Sequence, residues 1–288
     1  MKVLSVGVAT LDIIDWVAEY PREDSEQRAE ARWSRLGGNS ANTLVVLSQL
    51  GHACSWAGSL AEDAAAGRIA TALEAYAIDM QWARVHPGAT SPASHVLQSR
   101  RTASRTIVHY RDLPEFEAQD FAPIELAVYD WLHFEGRHVA ACERMLRRAA
   151  EYRPKLRTSL EVEKPREGIE GLFPLADVLI FSRAYAQAKG YASALELFGS
   201  VRALGATGLL FAAWGEEGGW LDQGGGSVIG QPARPPAKLI DTLGAGDVFN
   251  AGVIHTLLMG ETPRQALAQA VELSGRKCGR QGLDGLVD

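Results

Sequence analysis

Ile240-Asp241-Thr242-Leu243-Gly244-Ala245-Gly246-Asp247-Val248-Phe249-Asn250-Ala251-Gly252 joins a glycine-rich turn to an amphipathic run and sets one carboxylate at the join. Gly244 and Gly246 carry no Cβ, so backbone N–H groups across Leu243–Asp247 can converge on a ligand without steric penalty. Phe249, Val253, Thr256 and Leu257 recur at spacings of three and four and predict a helix that begins near Gly246. The first N–H groups of a helix have no internal partner and its dipole is positive there, so an anion such as phosphate gains roughly 0.3–1 kcal/mol at this place. The same anion repels Asp247. Either Asp247 is a favourable first-turn residue beside a tight turn, or it takes the proton from a hydroxyl that attacks a phosphoryl group.

The 288 residues suffice for one large α/β domain or two small ones, and for burying about three quarters of the unfolded surface. One domain with an appendage is expected. A formal charge of −6, from 29 basic and 35 acidic residues, with 47% hydrophobic content, is that of an ordinary soluble enzyme. No basic block stands out, and a negative chain does not draw in phosphate backbones, so nucleic acid is not an expected partner. Cys54, Cys142 and Cys278 are odd in number and scattered, which implies neither a disulfide framework nor a zinc cluster and fits a reducing cytoplasm. Met1-Lys2 leads straight into a strand-like run with no signal-peptide region, and no apolar stretch reaches the roughly 18 residues of a membrane span.

Val3–Ile14 reads as the first strand, a nearly continuous apolar run suited to burial on both faces. Asp12 interrupts it near its end. Open α/β sheets bind ligands at the carboxyl ends of strands, so Asp12 is a ligand group or an aspartate closing a strand at a turn. Pro21–Glu26 is a charged loop whose composition leaves Asp24 solvated. Asn39, after Gly37-Gly38, is placed to cap a helix over Ser40–Leu50, and the carboxamides of Asn39 and Asn42 can meet a polyol. Ala57–Leu60 and Asp63–Tyr76 read as strand and helix. Ser94–Leu97 and Arg105–Tyr110 alternate about the polar turn Gln98–Ser104 as an antiparallel hairpin, forming a second layer with Asp15–Ala31. Beyond Ala127, strands at Trp131–Phe134, Thr158–Val162, Val178–Phe181 and Gly208–Trp214 are joined by helices at Ala140–Tyr152 and Ser193–Leu204. That alternation implies a parallel, doubly wound sheet. Gly224–Gly226 reads as a loose turn between short strands, and Pro263–Lys277 as the closing helix.

Asp241-Thr242-Leu243-Gly244-Ala245-Gly246-Asp247 resembles the C-terminal signature of the ribokinase-like (PfkB-type) sugar kinases, and Gly37-Gly38-Asn39-Ser40-Ala41-Asn42 resembles their N-terminal Gly-Gly-Asn-x-x-Asn signature. The two stand in the family's order. The resemblance implies a ribokinase-like α/β fold over residues 1–288: a doubly wound, mostly parallel sheet flanked by helices, with a small β-sheet lid drawn from about residues 15–38 and 92–112. It implies ATP and Mg²⁺, Asp247 as catalytic base, and the amides of Gly244, Ala245 and Gly246 as the anion hole. In some members two lids clasp each other, and an exposed strand edge invites such pairing, so a homodimer is expected.

Tyr20–Glu26, His133-Phe134-Glu135-Gly136-Arg137, Leu160–Glu167, Ala213–Gly218 and Lys277–Gly285 look closer to the ketohexokinases, the branch that phosphorylates a ketohexose such as fructose at a primary hydroxyl. Carried over position by position, the resemblance puts Asp12, Asp24, Gly38, Asn39, Asn42, Arg105, Glu135 and Arg137 at the sugar. It puts Trp214, Gly215, Glu216, Glu217, Gly218, Thr242, Gly244, Gly246 and Cys278 at the nucleotide. Arg105 falls on the hairpin, where it either meets substrate or γ-phosphate on closure or remains a surface arginine. Kinases of the same family for another polyol, a sugar acid or a nucleoside, and a non-catalytic sugar sensor, are the rival readings.

Many members carry an Asn-x-x-Glu motif that organises Mg²⁺; Ser182-Arg183-Ala184-Tyr185 stands in its place. Glu161 and Glu163 alternate on one strand face and either hold the metal through water or pair with Lys164 or Arg166. The resemblance further implies a monovalent cation such as K⁺ on carbonyls near Asp241 and Arg276–Gly282. His133 and His138 lack further ligands at zinc spacing, and the seven Trp are scattered rather than arranged as a stacking platform.

Overall fold

The computed structural model describes residues 1–102 and 104–287; Ala103, in the expected turn Gln98–Ser104, and Asp288 lie outside the described residues. Along the chain run the strands β1 (Lys2–Val6), β2 (Thr10–Val17), β3 (Ala31–Gly37), β4 (Ala53–Ala57), β5 (Ser59–Ala61), β6 (Arg84–His86) and β7 (Thr90–Ser99). They continue with β8 (Arg105–Asp112), β9 (Trp131–Glu135), β10 (Arg157–Val162), β11 (Val178–Ser182), β12 (Leu209–Ala213), β13 (Gly219–Asp222) and β14 (Val228–Gln231). The helices are α1 (Asn39–Gln49), α2 (Ala64–Ala75), α3 (Ala118–Phe121), α4 (Val139–Ala150), α5 (Arg183–Ala188), α6 (Ala194–Ala203), α7 (Ala245–Leu258) and α8 (Pro263–Cys278).

Eight strands pair in the order β14-β13-β12-β11-β10-β9-β1-β4, parallel from β4 to β12 and antiparallel at β13 and β14. Alternate residues of each central strand enter opposite cores: Leu132 and Phe134 of β9 join Met145 of α4 and Phe198 of α6, while Trp131 joins Leu44 of α1, Val253 of α7 and Leu267 of α8. The sheet is therefore covered on both faces, which is why its strands read as continuous apolar runs. The chain leaves β1 toward β4 on one side and later resumes at β9 on the other, so strand order reverses beside β1. In such sheets the crevice at the carboxyl ends next to the reversal is where ligands bind.

A second sheet, in the order β3-β2-β7-β8, is the lid, with the expected antiparallel hairpin of β7 and β8. The expected single strand Val3–Ile14 is in fact two strands in two sheets. Gly7 marks the exit: a Cβ there would come within 2.6 Å of Glu135 Oε2 and 2.7 Å of Ser40 Cβ. The lid thus begins at Thr10, and Asp12 sits in the middle of a lid strand rather than at the end of a buried one. Ala57–Leu60 likewise divides into the end of β4 and β5.

The expected cap at Asn39 is replaced by Gly38, whose φ of 95° no L-residue adopts readily and whose Cβ would stand 2.2 Å from Val8 O. Asn39 becomes the first residue of α1 and its side chain is free to point elsewhere. Other caps follow local rule: Ser193 accepts from Glu196 N, and Thr262 and Gln265 form a reciprocal box in front of Pro263. At the α7–α8 crossing, a Cβ on Gly252 would meet Ala270 Cα at 2.7 Å. Gly252→Val is expected to lower stability by about 1–3 kcal/mol through overpacking, read as a fall in the urea midpoint at unchanged slope.

Candidate active site

The glycine-rich turn has the form its residues demand. Gly244 is the N-cap of α7 in the left-handed region at φ 89°, Leu243 N donates to Asp241 Oδ1 at 2.9 Å, and Ala245 N reaches Thr242 O at 3.3 Å. The amides of Gly246 and Asp247, as second and third residues of the helix, have no intrahelical acceptor. The helix begins one residue before the expected Gly246.

Asp247 is 6% exposed, and its Oδ2 accepts a 2.7 Å hydrogen bond from Asn42 Nδ2. Asn39 Nδ2 and Asn250 Nδ2 both donate to Glu161 Oε1, at 3.1 and 3.0 Å. One helical turn of α1 therefore faces one turn of α7, with Asn39 and Asn42 opposite Asp247 and Asn250, and Glu161 of β10 set between them. Glu161 Oε2 and Asn42 Oδ1 are buried without a hydrogen-bond partner among the described residues. At the tip of β9, Glu135 Oε2 accepts from Val8 N at 2.9 Å, and its Oε1 lies 3.5 Å from Arg137. Asp12 Oδ1 accepts from Thr10 Oγ1 at 2.9 Å; a Cβ on Gly37 would fall 2.3 Å from the Asp12 carboxyl, so glycine there makes the room.

The other expected positions divide. Asp24 occupies an exposed turn between β2 and β3 at φ 54°. Glu163 is half-buried and 3.2 Å from Lys164. Arg105, on the lid edge, hydrogen-bonds Thr242 Oγ1 and thus spans from the lid to the turn before α7. It lines a cleft with Gly215, Gly218, Gly246, Phe249 and Cys278. Trp214 is buried in the core and does not line this cleft, while Glu216 and Glu217 both pair with Arg183, at 2.9 and 3.1 Å. Where the resemblance implies K⁺, Lys277 Nζ lies 2.8 Å from Asp241 O and 2.9 Å from Asp241 Oδ2. No group of three or more His, Cys, Asp and Glu is arranged to hold a metal among the described residues.

Sequence reasoning missed Asn250, Arg35 and Lys277. Asn250 repeats, three residues after Asp247, the spacing of Asn39 and Asn42, and a lone amide among Phe249, Ala251 and Val253 was the available signal. Lys277 reads locally as an ordinary basic residue in the last turn of a helix.

The site thus joins a doubly wound sheet, a second small β-sheet and a buried aspartate at a glycine-lined helix start. Residues 1–287 match the pfkB family carbohydrate kinase model, and the chain belongs to that family. It is an ATP-dependent sugar kinase. It is 37% identical to ketohexokinase of Mus musculus over 99% of both chains. Among solved structures, a putative ribokinase from Agrobacterium tumefaciens superimposes with a TM-score of 0.86 at 23% identity, covering 98% of this chain and 92% of that one. Arabidopsis thaliana ribokinase complexed with ribose and ATP gives 0.79 at 19% identity, covering 97% and 93%. These two likenesses confirm the ribokinase-like fold. No helix among the described residues is long and apolar enough to cross a membrane.

Burial pushes the Asp247 carboxyl up to about 8; Asn42 favours its charged form, and Glu163, Glu135 and Asp12 oppose it. Burial, then Asp247 and Glu135, raise Glu161 well above the usual carboxylate range. The folded Asp247 therefore holds a proton that the unfolded chain, at 3.8, has lost. Its stability contribution is complete below the unfolded value and disappears as pH rises through about 8. Asp247→Asn is expected to gain in melting temperature over the wild type progressively as pH is raised toward 8, measured by thermal unfolding across a pH series.

Proposed function

We propose that this chain phosphorylates a ketohexose at a primary hydroxyl, converting fructose to fructose 1-phosphate. The observation that carries the reading is the buried Asp247 at the start of α7, held by Asn42 in a chain 37% identical to a ketohexokinase along its whole length. Carboxylates and carboxamides each satisfy two hydroxyls of a polyol, and a site made of them discriminates against analogues that leave these groups unpaired. Asp12, Asn39, Asn42, Glu135 and Arg137 supply that chemistry. A nucleoside would call for an apolar, aromatic lining in the same place.

In its ionised form, whose share grows as pH rises toward about 8, Asp247 takes the hydroxyl proton as the sugar oxygen bonds to the γ-phosphorus of ATP, the bond to the bridging oxygen breaks, and ADP leaves. The free amides at the start of α7 and the Arg105 guanidinium face the transferred group and offset its charge. A bound Mg²⁺ would supply further neutralisation of charge. The unpartnered Glu161 Oε2 fits a role in holding it through water, with Glu163 beside it. Asp247→Asn is expected to lower turnover by about 10²–10⁴ with the fold intact, measured as ADP release with a panel of ketohexoses, aldoses and a ribonucleoside. Turnover in the wild type confined to a different polyol would replace the substrate and keep the mechanism.

We also infer a homodimer through the lid, in a reducing cytoplasm that suits the free thiols of Cys54, Cys142 and Cys278. β8 is a sheet edge, and Ile107, Val108 and Tyr110 on it are 44%, 67% and 57% exposed. Apolar side chains along an unpaired edge favour pairing with a second copy. Val108→Lys is expected to shift the protein from dimer to monomer in light scattering after gel filtration.

A further inference from the structure

Lys277 is 0% exposed although it lies in the last turn of α8. A lysine is almost never fully buried unless it is paired. Its Nζ has three protons to donate and finds three oxygens: Asp241 O at 2.8 Å, Asp241 Oδ2 at 2.9 Å and Arg280 O at 3.4 Å. Around this ammonium the approach to the anion-binding turn is assembled. Asp241 Oδ2 also accepts from Arg35 Nη1 at 3.0 Å and Gly282 N at 3.1 Å, and Arg35 Nη2 donates to Leu243 O at 3.3 Å. Ile240 N bonds Cys278 O at 2.8 Å. Burial opposes the Asp241 charge, but Arg35 and Lys277 outweigh it and hold the carboxyl below its ordinary value.

We infer that the Lys277 ammonium is the resident cation of the Asp241–Gly244 turn, filling the place of a bound monovalent ion and positioning the α7 amides, so that the kinase requires no K⁺ from solution. Two carbonyls and one carboxylate oxygen already spend their lone pairs on it, and a K⁺ ion would have to displace a covalently tethered charge. Lys277 is a positioning residue: it acts through Asp241 and Leu243 and touches no reacting atom. The inference rests on the reading of the α7 start as the phosphoryl site.

The test uses the full chain, with ADP release measured in potassium, ammonium and choline salts at equal ionic strength. Wild-type turnover is expected to be the same in all three. Lys277→Ala removes the ammonium and leaves its oxygens around a space for a small cation. Its kcat is expected to fall by about 10- to 100-fold in choline, with the sugar KM little changed, because the amides are misplaced while the residues that hold the sugar keep their positions. Ammonium or potassium, and not choline, should restore kcat and raise its melting temperature. Lys277→Met, which fills the space without charge, should lose kcat and gain nothing from either ion. A wild type that needs potassium overturns the inference, as does a folded Lys277→Ala variant indifferent to all three salts. If Lys277→Ala does not fold, the wild-type salt series and Lys277→Met decide alone. A wild type inactive with every sugar in every salt overturns the proposed function instead, and the melting-temperature response of Lys277→Ala still reports on the cation place.

Discussion

The 2.7 Å hydrogen bond from Asn42 to Asp247 ties the start of α1 to the start of α7, and the active centre depends on it. Both helices begin at glycines with left-handed backbone, Gly38 and Gly244, so each can enter the sheet's edge abruptly and present its first turn to the same space. Glu161 from β10 closes the arrangement by accepting from one amide of each helix. A carboxylate left alone at this depth would be costly; one that accepts an amide hydrogen bond can be buried and still be deprotonated when a substrate calls for it.

Charge is distributed unevenly about this centre. Burial, together with repulsion among Asp12, Glu135, Glu161, Glu163 and Asp247, keeps Asp247 and Glu161 protonated beyond the usual range. On the opposite side of the turn, Arg35 and Lys277 surround Asp241 and hold it ionised. The same short stretch thus contains an aspartate held below the ordinary carboxylate range and, six residues on, one held above it. Environment, not residue type, sets the two apart.

The lid connects the two ends of the candidate site. β2 brings Asp12, β3 ends at Gly37 and leads into α1, and β8 carries Arg105 to Thr242 beside the glycine-rich turn. Arg105 is therefore attached to the turn before α7.

Much of the fold was legible locally. The alternation from Trp131 to Trp214, the hairpin of β7 and β8, the helix of Pro263 and the glycine-rich start of α7 are each encoded in residues close together in the chain, through periodicity and turn chemistry. Asp247 was legible for the same reason: a carboxylate at a helix start beside glycines is a local pattern. What tertiary structure alone decided were the contacts between distant segments. Val3–Ile14 is one apolar run, and only the collision that a side chain at Gly7 would make with Glu135 and Ser40 divides it between two sheets. Asn39 was locally a cap, but packing of Gly38 against Val8 O turned it toward Glu161. Lys277 was locally a surface lysine, and became the buried partner of Asp241 because the end of α8 closes over the turn before α7. Local pattern sets which backbone shapes are cheap, whereas burial and the pairing of charges depend on what the rest of the chain brings to the same place.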